Sequence, residues 1–562
     1  MKKQQIANSL KGSIVVIAIS LLTASALLMT SCDSLLNQQP YGAFTADQLD
    51  DQSVEGLLAA AYAGLNAHYF GNNEAFAGPS TNWIFDVRSD DAYKGGGAVT
   101  MEANIHQLEI GVINSDNVSL ENKWQNDFYG ITRVHKAMKA LDEIEDISHR
   151  EQMMGELIIL RSWFYFDMVR IFKHVPYFTY TDDPSAVRND VYTQDSIMHM
   201  LQTDLIKAYE TMEEQSLTPA RFNRYTAAAL MAKISAQLSD WPNVEKYASI
   251  VIQSGRYALY ENYLDMSKIE FDNQYESIIA LQCVVTSDYG QVNWSNLLNT
   301  TYSDGNLYGT GDDFFIASQN LADCFRTDAN GLPYLDESLA PAGDGNRMNG
   351  GYRGNMDPRV DFTMARIGLP FRGHLYTRRW CRAYDTYGEF SGKKGLVDPE
   401  NPQMVRGFPW GASNLNFKFL RYADIILLYA EALIEQNDKL DLARQYINMI
   451  REKASRSVDP YYTPVDVNPM ISTYKVGEYI SAGWTQDYAR KAVRMERRLE
   501  LAMEGHRWFD LCRWGIAVET MNEYYRTESD LRPYLRGANL SPQDVYMPTP
   551  TDEVRTADGL YK

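Results

Sequence analysis

Apolar residues recur at helical spacing through two separated blocks of the chain. The first block runs from about Ser53 to Ile252. Val54, Leu57, Leu58, Ala61, Tyr62 and Leu65 fall on one face of a 3.6-residue repeat, the pattern of an amphipathic helix. Further helices are expected over 120–144, 151–172 and 195–212, with Pro176 and Pro184 ending the second of these and its tail. Next come an alanine-rich periodic run over 223–239, the short Asp240-Trp241-Pro242 break, and a second periodic run over 244–252. That order reads as helix, turn, helix, with small residues allowing close approach.

The pattern returns after a long gap. A periodic run over 421–435 is followed by Asn437-Asp438-Lys439 and a second run over 440–451, with Ala430, Ala432 and Ala443 at positions that suit close contact. Both hairpins resemble tetratricopeptide pairs, which stack into a solenoid with a continuous core. A third periodic stretch, 494–514, mixes an apolar stripe (Leu499, Met503, Trp508, Phe509) with Glu496, Arg497, Glu500 and Glu504 at spacings that suit ion pairs along one helix. Gly505 permits a break there. The expected fold class is mainly α: a tetratricopeptide-like helical-pair solenoid. Tyr422, Leu428, Leu499 and Trp508 are expected in its core.

Between the blocks periodicity fails. Glycines are dense (Gly305, Gly309, Gly311, Gly343, Gly345, Gly350, Gly351, Gly354), and aromatics are interleaved (Tyr289, Trp294, Tyr302, Tyr308, Trp380, Tyr384, Tyr387, Trp410). Such a length without secondary structure is uncommon inside a domain. Irregular, aromatic-rich chain on a rigid scaffold suits a binding surface; packing of the rings onto the solenoid is the alternative. The expected organisation is a leader over 1–31, a tether over 32–52, a helical part over 53–284, a large irregular insertion over 285–415 and a second helical part over 416–562.

The amino terminus has the order of parts of a secretory signal. Lys2, Lys3 and Lys11 precede an uncharged apolar run over 14–29, somewhat short for a bilayer span of roughly 20 residues, and Ser31-Cys32 follows. Leu28-Met29-Thr30-Ser31-Cys32 looks like a lipobox, so Cys32 is the expected lipidation site. Acyl chains burying roughly 0.8 kcal/mol per CH₂ would make that tether effectively permanent.

Composition narrows the function classes. The chain has 73 acidic against 53 basic residues, a formal net charge of −20. Loss of the leader lysines would make the body more acidic still, which disfavours nucleic acid and anionic lipid as partners and leaves a neutral ligand open. Besides Cys32 there are Cys283, Cys324, Cys381 and Cys512, without a C-x-x-C pair, so a zinc knuckle or thioredoxin site is not expected. Four isolated buried thiols are. The glycine-rich stretch 343–351 lacks G-K-[ST], and neither H-E-x-x-H nor G-x-S-x-G occurs. Paired carboxylates are inevitable among so many acids, so spacing cannot reveal a glycosidase pair. Asp328-Ala329-Asn330-Gly331 faintly resembles a calcium loop but lacks the bidentate Glu. No catalytic residue, no metal ligand and no cofactor is expected, with a structural calcium ion left open.

The run Glu496-Arg-Arg-Leu-Glu-Leu-Ala-Met-Glu-Gly-His-Arg-Trp-Phe-Asp-Leu-Cys-Arg-Trp514 closely resembles the carboxy-terminal signature of the SusD-like (RagB/SusD) family, E-R-R-x-E-L-x-x-E-G-x-R-W-x-D-L-x-R-W. The segments 160–177, 356–359, 421–432 and 546–550 resemble other motifs of that family in order, with Lys173-His174, Met356 and Thr549 as departures. The resemblance implies a nutrient-capturing lipoprotein of the outer-membrane surface. It would bind a glycan and act as the lid of a TonB-dependent (SusC-like) transporter, with no activity as an enzyme. A RagB-type peptide-binding lid is the alternative, and a surface glycoside hydrolase a more remote one. The resemblance also places the ligand face on the loop after the first helix and on the insertion. Arg88 and Asp90 are then expected as hydroxyl ligands, Asn104 and His106 close behind, and Trp83, Trp294, Tyr302 and Tyr308 as the stacking platform.

Overall fold

Polar side chains at the helix starts fix where the helices begin. The computed structural model describes residues 51–66, 83–144, 146–285, 292–293, 295, 299–302, 307–309, 311–335, 352, 354–406, 411–457 and 473–562. The first helices are α1 (Asp51–Ala63), α2 (Trp83–Val87), α3 (Ala103–Glu109), α4 (Val118–Glu143), α5 (Arg150–Ile171), α6 (Gln194–Thr211), α7 (Arg224–Gln237) and α8 (Trp241–Gln253). Asn117 Oδ1 accepts from the backbone N–H of Ser119 and Leu120, Thr193 Oγ1 from Ser196, and Asn223 with Thr226 forms a reciprocal capping box. Pro242 sits in the first turn of α8, where its missing N–H costs nothing. The expected leader, Cys32 and nearly all of the tether lie outside the described residues.

Consecutive helices α4 to α8 pack side by side. Gly130 brings α4 close to α5, since a Cβ there would lie 2.4 Å from the Phe164 ring. The stack then resumes far along the chain. Helices α9 (Tyr422–Glu435) and α10 (Leu440–Arg456) form the second hairpin, and α9 packs on α8 and α7. The buried alanines 227, 228, 229 and 232 on α7 and 430 and 432 on α9 keep these helices close. Helices α11 (Gln486–Leu501), α12 (Arg507–Arg513) and α13 (Ala517–Glu528) follow, with α11 against α9 and α10. Tyr422, Leu428, Leu499 and Trp508 are buried as expected.

Short strands tie the excursion between α8 and α9 to the scaffold. Strands β1 (Ala92–Gly95) and β3 (Phe314–Ala317) pair antiparallel, as do β2 (Ser277–Leu281) and β7 (Phe417–Arg421) at its two ends. Asn355–Met356 (β4) pairs parallel with Thr473–Tyr474 (β8), and Pro370–Phe371 (β5) with His374–Leu375 (β6) forms a small hairpin. The excursion has its own apolar cluster, in which Tyr308, Phe371, Tyr376, Trp380 and Leu415 meet. Arg421, read from periodicity as the start of a helix, ends β7 instead.

The charges of the 494–514 stretch differ most from expectation. Helix α11 stops at Leu501, and Met503 and Gly505 take positive φ before α12. Most of the acids and arginines there pair with distant segments; Asp510 is the exception, bonding Arg513 along α12 and Arg497 across the break. Glu500 faces Arg421 Nη1 (2.7 Å), Lys453 Nζ (2.6 Å) and Arg359 Nη1 (3.0 Å). Glu496 meets Arg359 and Arg451, Glu504 meets Arg421 and Lys394, and Arg497 meets Asp424 and Asp510. A helix-surface reading missed this because residues 496–501 of α11 are all buried, while only its first turns, with Asp487, Tyr488 and Lys491, face solvent.

Two predictions follow from this packing. Trp508→Ala should lower unfolding free energy by about 3–5 kcal/mol, the cost of emptying a large buried aromatic site; a urea midpoint within error of wild type would contradict it. Acid should unfold the protein through Glu504. Burial raises its carboxyl, but the Arg421 and Lys394 charges outweigh that and bring it down to about 2. A carboxyl depressed in the fold stabilises above its unfolded pKa of about 4.3, and loses that contribution as pH falls toward 2. The loss is about 3 kcal/mol. Glu504→Gln should flatten the urea midpoint between pH 4.5 and 2.5 relative to wild type, and equal slopes would exclude this source.

Candidate functional site

The loop after α2 was expected to hold hydroxyl ligands, but its polar groups are taken up by the protein. Arg88 is fully buried, with its guanidinium 4.3 Å over the Trp508 ring and Nη2 donating to the Asp544 carbonyl. Burial pulls its pKa down to about 10. Asp90 accepts two hydrogen bonds of 2.8 Å from Arg507 and lies 3.1 Å from Arg498, while Asp91 accepts from Arg498 at 2.8 Å. This turn is clamped under α11 and α12, so Arg88 and Asp90 have structural partners in place of a ligand. Tyr308 is likewise interior, its hydroxyl donating to the Val397 carbonyl at 2.7 Å.

Other expected residues lie nearer the surface. His106 is 19% exposed, and its Nδ1 lies 2.8 Å from Glu109 Oε2. Asn104 is half-buried, and its carbonyl accepts from Asn117 Nδ2. Tyr302 is 36% exposed. The Trp83 side chain and all of Trp294 lie outside the described residues.

Around Tyr302 the chain assembles a cluster that the sequence did not suggest. The Tyr302 N–H donates to the Trp380 carbonyl, and the Arg382 guanidinium lies 5.0 Å over its ring. Arg382 also pairs with Asp312, and both side chains are about one-quarter exposed. Asp313, fully buried, accepts from the Arg382 backbone N–H at 2.9 Å and from Ser391 Oγ at 2.5 Å; burial raises its carboxyl to about 6 despite these donors. The turn after β1 closes the other side, where a Cβ on Gly97 would come within 2.9 Å of Arg382 Nε. Lys94 holds that turn by donating to the carbonyls of Gly95, Ala98 and Met101. Glu102, next in chain before α3, has its carboxyl raised by burial, opposed by Lys94 and reinforced by Asp312.

The cluster thus offers an aromatic ring, a guanidinium and a carboxylate at one surface, with Glu102 leading into Asn104 and His106. Flat apolar faces suit the ring and hydroxyls suit the charged groups. Sequence reasoning found Tyr302 but missed Arg382, Asp312 and Glu102. The available signal was Trp380 two positions from Arg382 and Gly311 beside Asp312. Among the described residues no group of three or more His, Cys, Asp or Glu is placed to hold a metal ion. The Asp328 carboxylate accepts from the N–H of Asn330 and Leu332, closing its own loop. Cys283, Cys324, Cys381 and Cys512 are free thiols, the first and last of them half-buried.

Residues 275–562, which carry this cluster and the buried charges of α11, match the model of the SusD family. The chain belongs to the SusD family. Residues 46–235 match a second model, described as starch-binding associating with outer membrane. A SusD-like protein of Bacteroides ovatus is 25% identical over 95% of this chain and 88% of its own length. A SusD superfamily protein of Bacteroides vulgatus superposes with a TM-score of 0.68 at 20% identity, covering 91% of this chain and 98% of its own. Surface glycan-binding protein A of Bacteroides thetaiotaomicron, solved in complex with laminarihexaose, superposes with a TM-score of 0.66 at 20% identity over 91% and 98% of the two chains. The SusD fold is therefore present here, with mainly helical, tetratricopeptide-like architecture.

Tyr302→Ala should weaken glycan binding roughly 5- to 100-fold, taking about 1–3 kcal/mol, by which a nucleobase stacks on an aromatic side chain, as an upper guide for a sugar face. The melting temperature should stay near wild type, because the ring is at the surface. Affinity equal to wild type by calorimetry would remove Tyr302 from the site.

Proposed function

We propose that this SusD-family chain captures glycans at the cell surface. In this reading Cys32 is lipidated, residues 1–31 are removed and 32–52 tether the body to the outer membrane. The captured chain lies on the insertion, with Tyr302 as stacking ring, Arg382 and Asp312 as hydroxyl partners, and Asn104 and His106 following Glu102; Trp83 and Trp294 remain candidate stacking rings. The body acts as the lid of a TonB-dependent, SusC-like transporter. A tether beside the transporter raises the effective ligand concentration at its mouth. The Tyr302–Arg382–Asp312 cluster in a SusD scaffold carries this reading. The family description of outer-membrane association supports the location, and no helix among the described residues is long and apolar enough to cross a membrane.

Peptide capture is the second reading. The laminarihexaose complex of the Bacteroides thetaiotaomicron relative favours glycan. A glycan array run against a peptide library separates the two, and the expected outcome is saturable glycan binding with none to peptides. Incubation with the bound glycan should release no new reducing ends. Gentle detergent extraction should recover an outer-membrane barrel with the protein, while Cys32→Ala should give a soluble or precursor form. Binding to peptides alone, or extraction without any barrel, would overturn the corresponding part of the proposal.

A further inference from the structure

A second groove, sharing no lining residue with the Tyr302 cluster, opens between α1, the segment leading into α7 and strand β2. It is made of two cavities of about 170 and 260 Å³, with Ala220, Arg221 and Gln282 on the walls of both. The smaller is polar, lined by Asn223, Arg256, Tyr257, Asn273, Gln274 and Tyr275 among others, with no Asp, Glu or Lys on its wall. The larger is more apolar, with Leu58, Ala59, Tyr62 and Leu281.

The lining is built and held. Asn273 and Gln282 exchange amide hydrogen bonds at 2.8 and 3.0 Å, and Asn416 Nδ2 donates to Gln282 at 2.9 Å. Asn273 and Tyr275 both take left-handed backbone, φ 58° and 51°. A bulky non-glycine residue there is strained, a feature concentrated at functional sites. The strained turn keeps the Tyr275 ring at the rim, 43% exposed and packed on its inner side against Phe271 and Tyr260. Arg221 gives Nε to Glu156 and Nη1 to Glu55, so its charge is compensated. Its Nη2 has no hydrogen-bond partner among the described residues. Arg256, the other guanidinium on the wall, bonds Ser216 Oγ at 3.0 Å, and Glu55 and Glu156 together balance the two arginines. A spare donor, amides and an upright aromatic ring, with no net charge, match a neutral ligand with many hydroxyl acceptors and flat C–H faces.

We propose that this groove is a second saccharide site, holding one or two neutral sugar residues against Tyr275 with hydroxyls toward Arg221 and Gln274. It is independent of binding at the Tyr302 cluster.

The test uses the full-length protein in a detergent without a sugar headgroup. Glucose, galactose, mannose, maltose, cellobiose and glucuronate are titrated by calorimetry and by saturation-transfer NMR. With the first site disabled by Tyr302→Ala, at least one neutral sugar should still bind saturably, and about 5-fold or more weaker when Tyr275→Ala is added at unchanged melting temperature. If Tyr275→Ala fails to fold, the exposed Gln274→Ala decides in its place. No saturable binding by any neutral sugar overturns the proposal. So does equal affinity in the deciding variant, or binding lost in Tyr302→Ala but kept in Tyr275→Ala. Glucuronate bound more than about 10-fold tighter than glucose would overturn the neutral assignment.

Discussion

Glu500 is a fully buried carboxylate that faces three cations, and the remaining architecture is arranged around it. Arg359 comes from the insertion, Arg421 from the strand that ends it, and Lys453 from the second helix of the following hairpin. Arg421 and Lys453 both reach back to Glu276, at the start of the same excursion. Removing such charges from water costs several kcal/mol each, and the cost is offset only when every partner is in place. Burial pushes the Glu500 carboxyl up, and the three cations drive it well below the usual carboxylate range, so it stays ionised. We take the web to set register. An apolar interface accepts nearby packings at small cost, whereas a slipped segment here would leave a bare charge inside. Because Arg359, Arg421 and Lys453 stand on separate segments, one carboxylate fixes the insertion, its closing strand and the second hairpin against α11.

That account also explains which features the sequence could reveal. The helices of both hairpins were legible because local periodicity and caps such as Asn117 and Asn223 act within a few residues. The grouping of small residues on α7 and α9 was legible too, as close helix contact. The fates of charged residues were not. Arg88 and Asp90 stand in a short polar loop, which reads as a surface, yet α12 covers that loop from more than 400 positions away. Only long-range geometry separates them from Arg382, an arginine in an equally unremarked stretch. Tyr302 and Tyr308 show the same limit at close range. They lie six positions apart with similar neighbours, and one faces solvent while the other bonds a carbonyl inside the apolar cluster of the insertion.

The surface cluster inherits its order from that interior. Asp313 joins the two: its buried carboxyl binds the Arg382 backbone and Ser391, and Ser391 lies 2.6 Å from the Tyr376 hydroxyl within the apolar cluster. Asp313 takes φ 54°, so its own backbone turns at the point where Asp312 points outward to Arg382. The ring, guanidinium and carboxylate are thus held from beneath before any ligand arrives, and less side-chain freedom is lost on binding. Scaffold and ligand face consequently answer to different constraints. The scaffold needs helical periodicity, small residues at close contacts and a complete set of buried charge partners, and at 20% identity it still superposes with a TM-score of 0.68. The ligand face needs only loops whose ends are fixed to that scaffold, as β1–β3 and β2–β7 fix them here. Residues at the loop tips can therefore change without disturbing Glu500 and its partners, and under the function proposed above the choice of glycan would fall to surface residues such as Tyr302, Asp312 and Arg382.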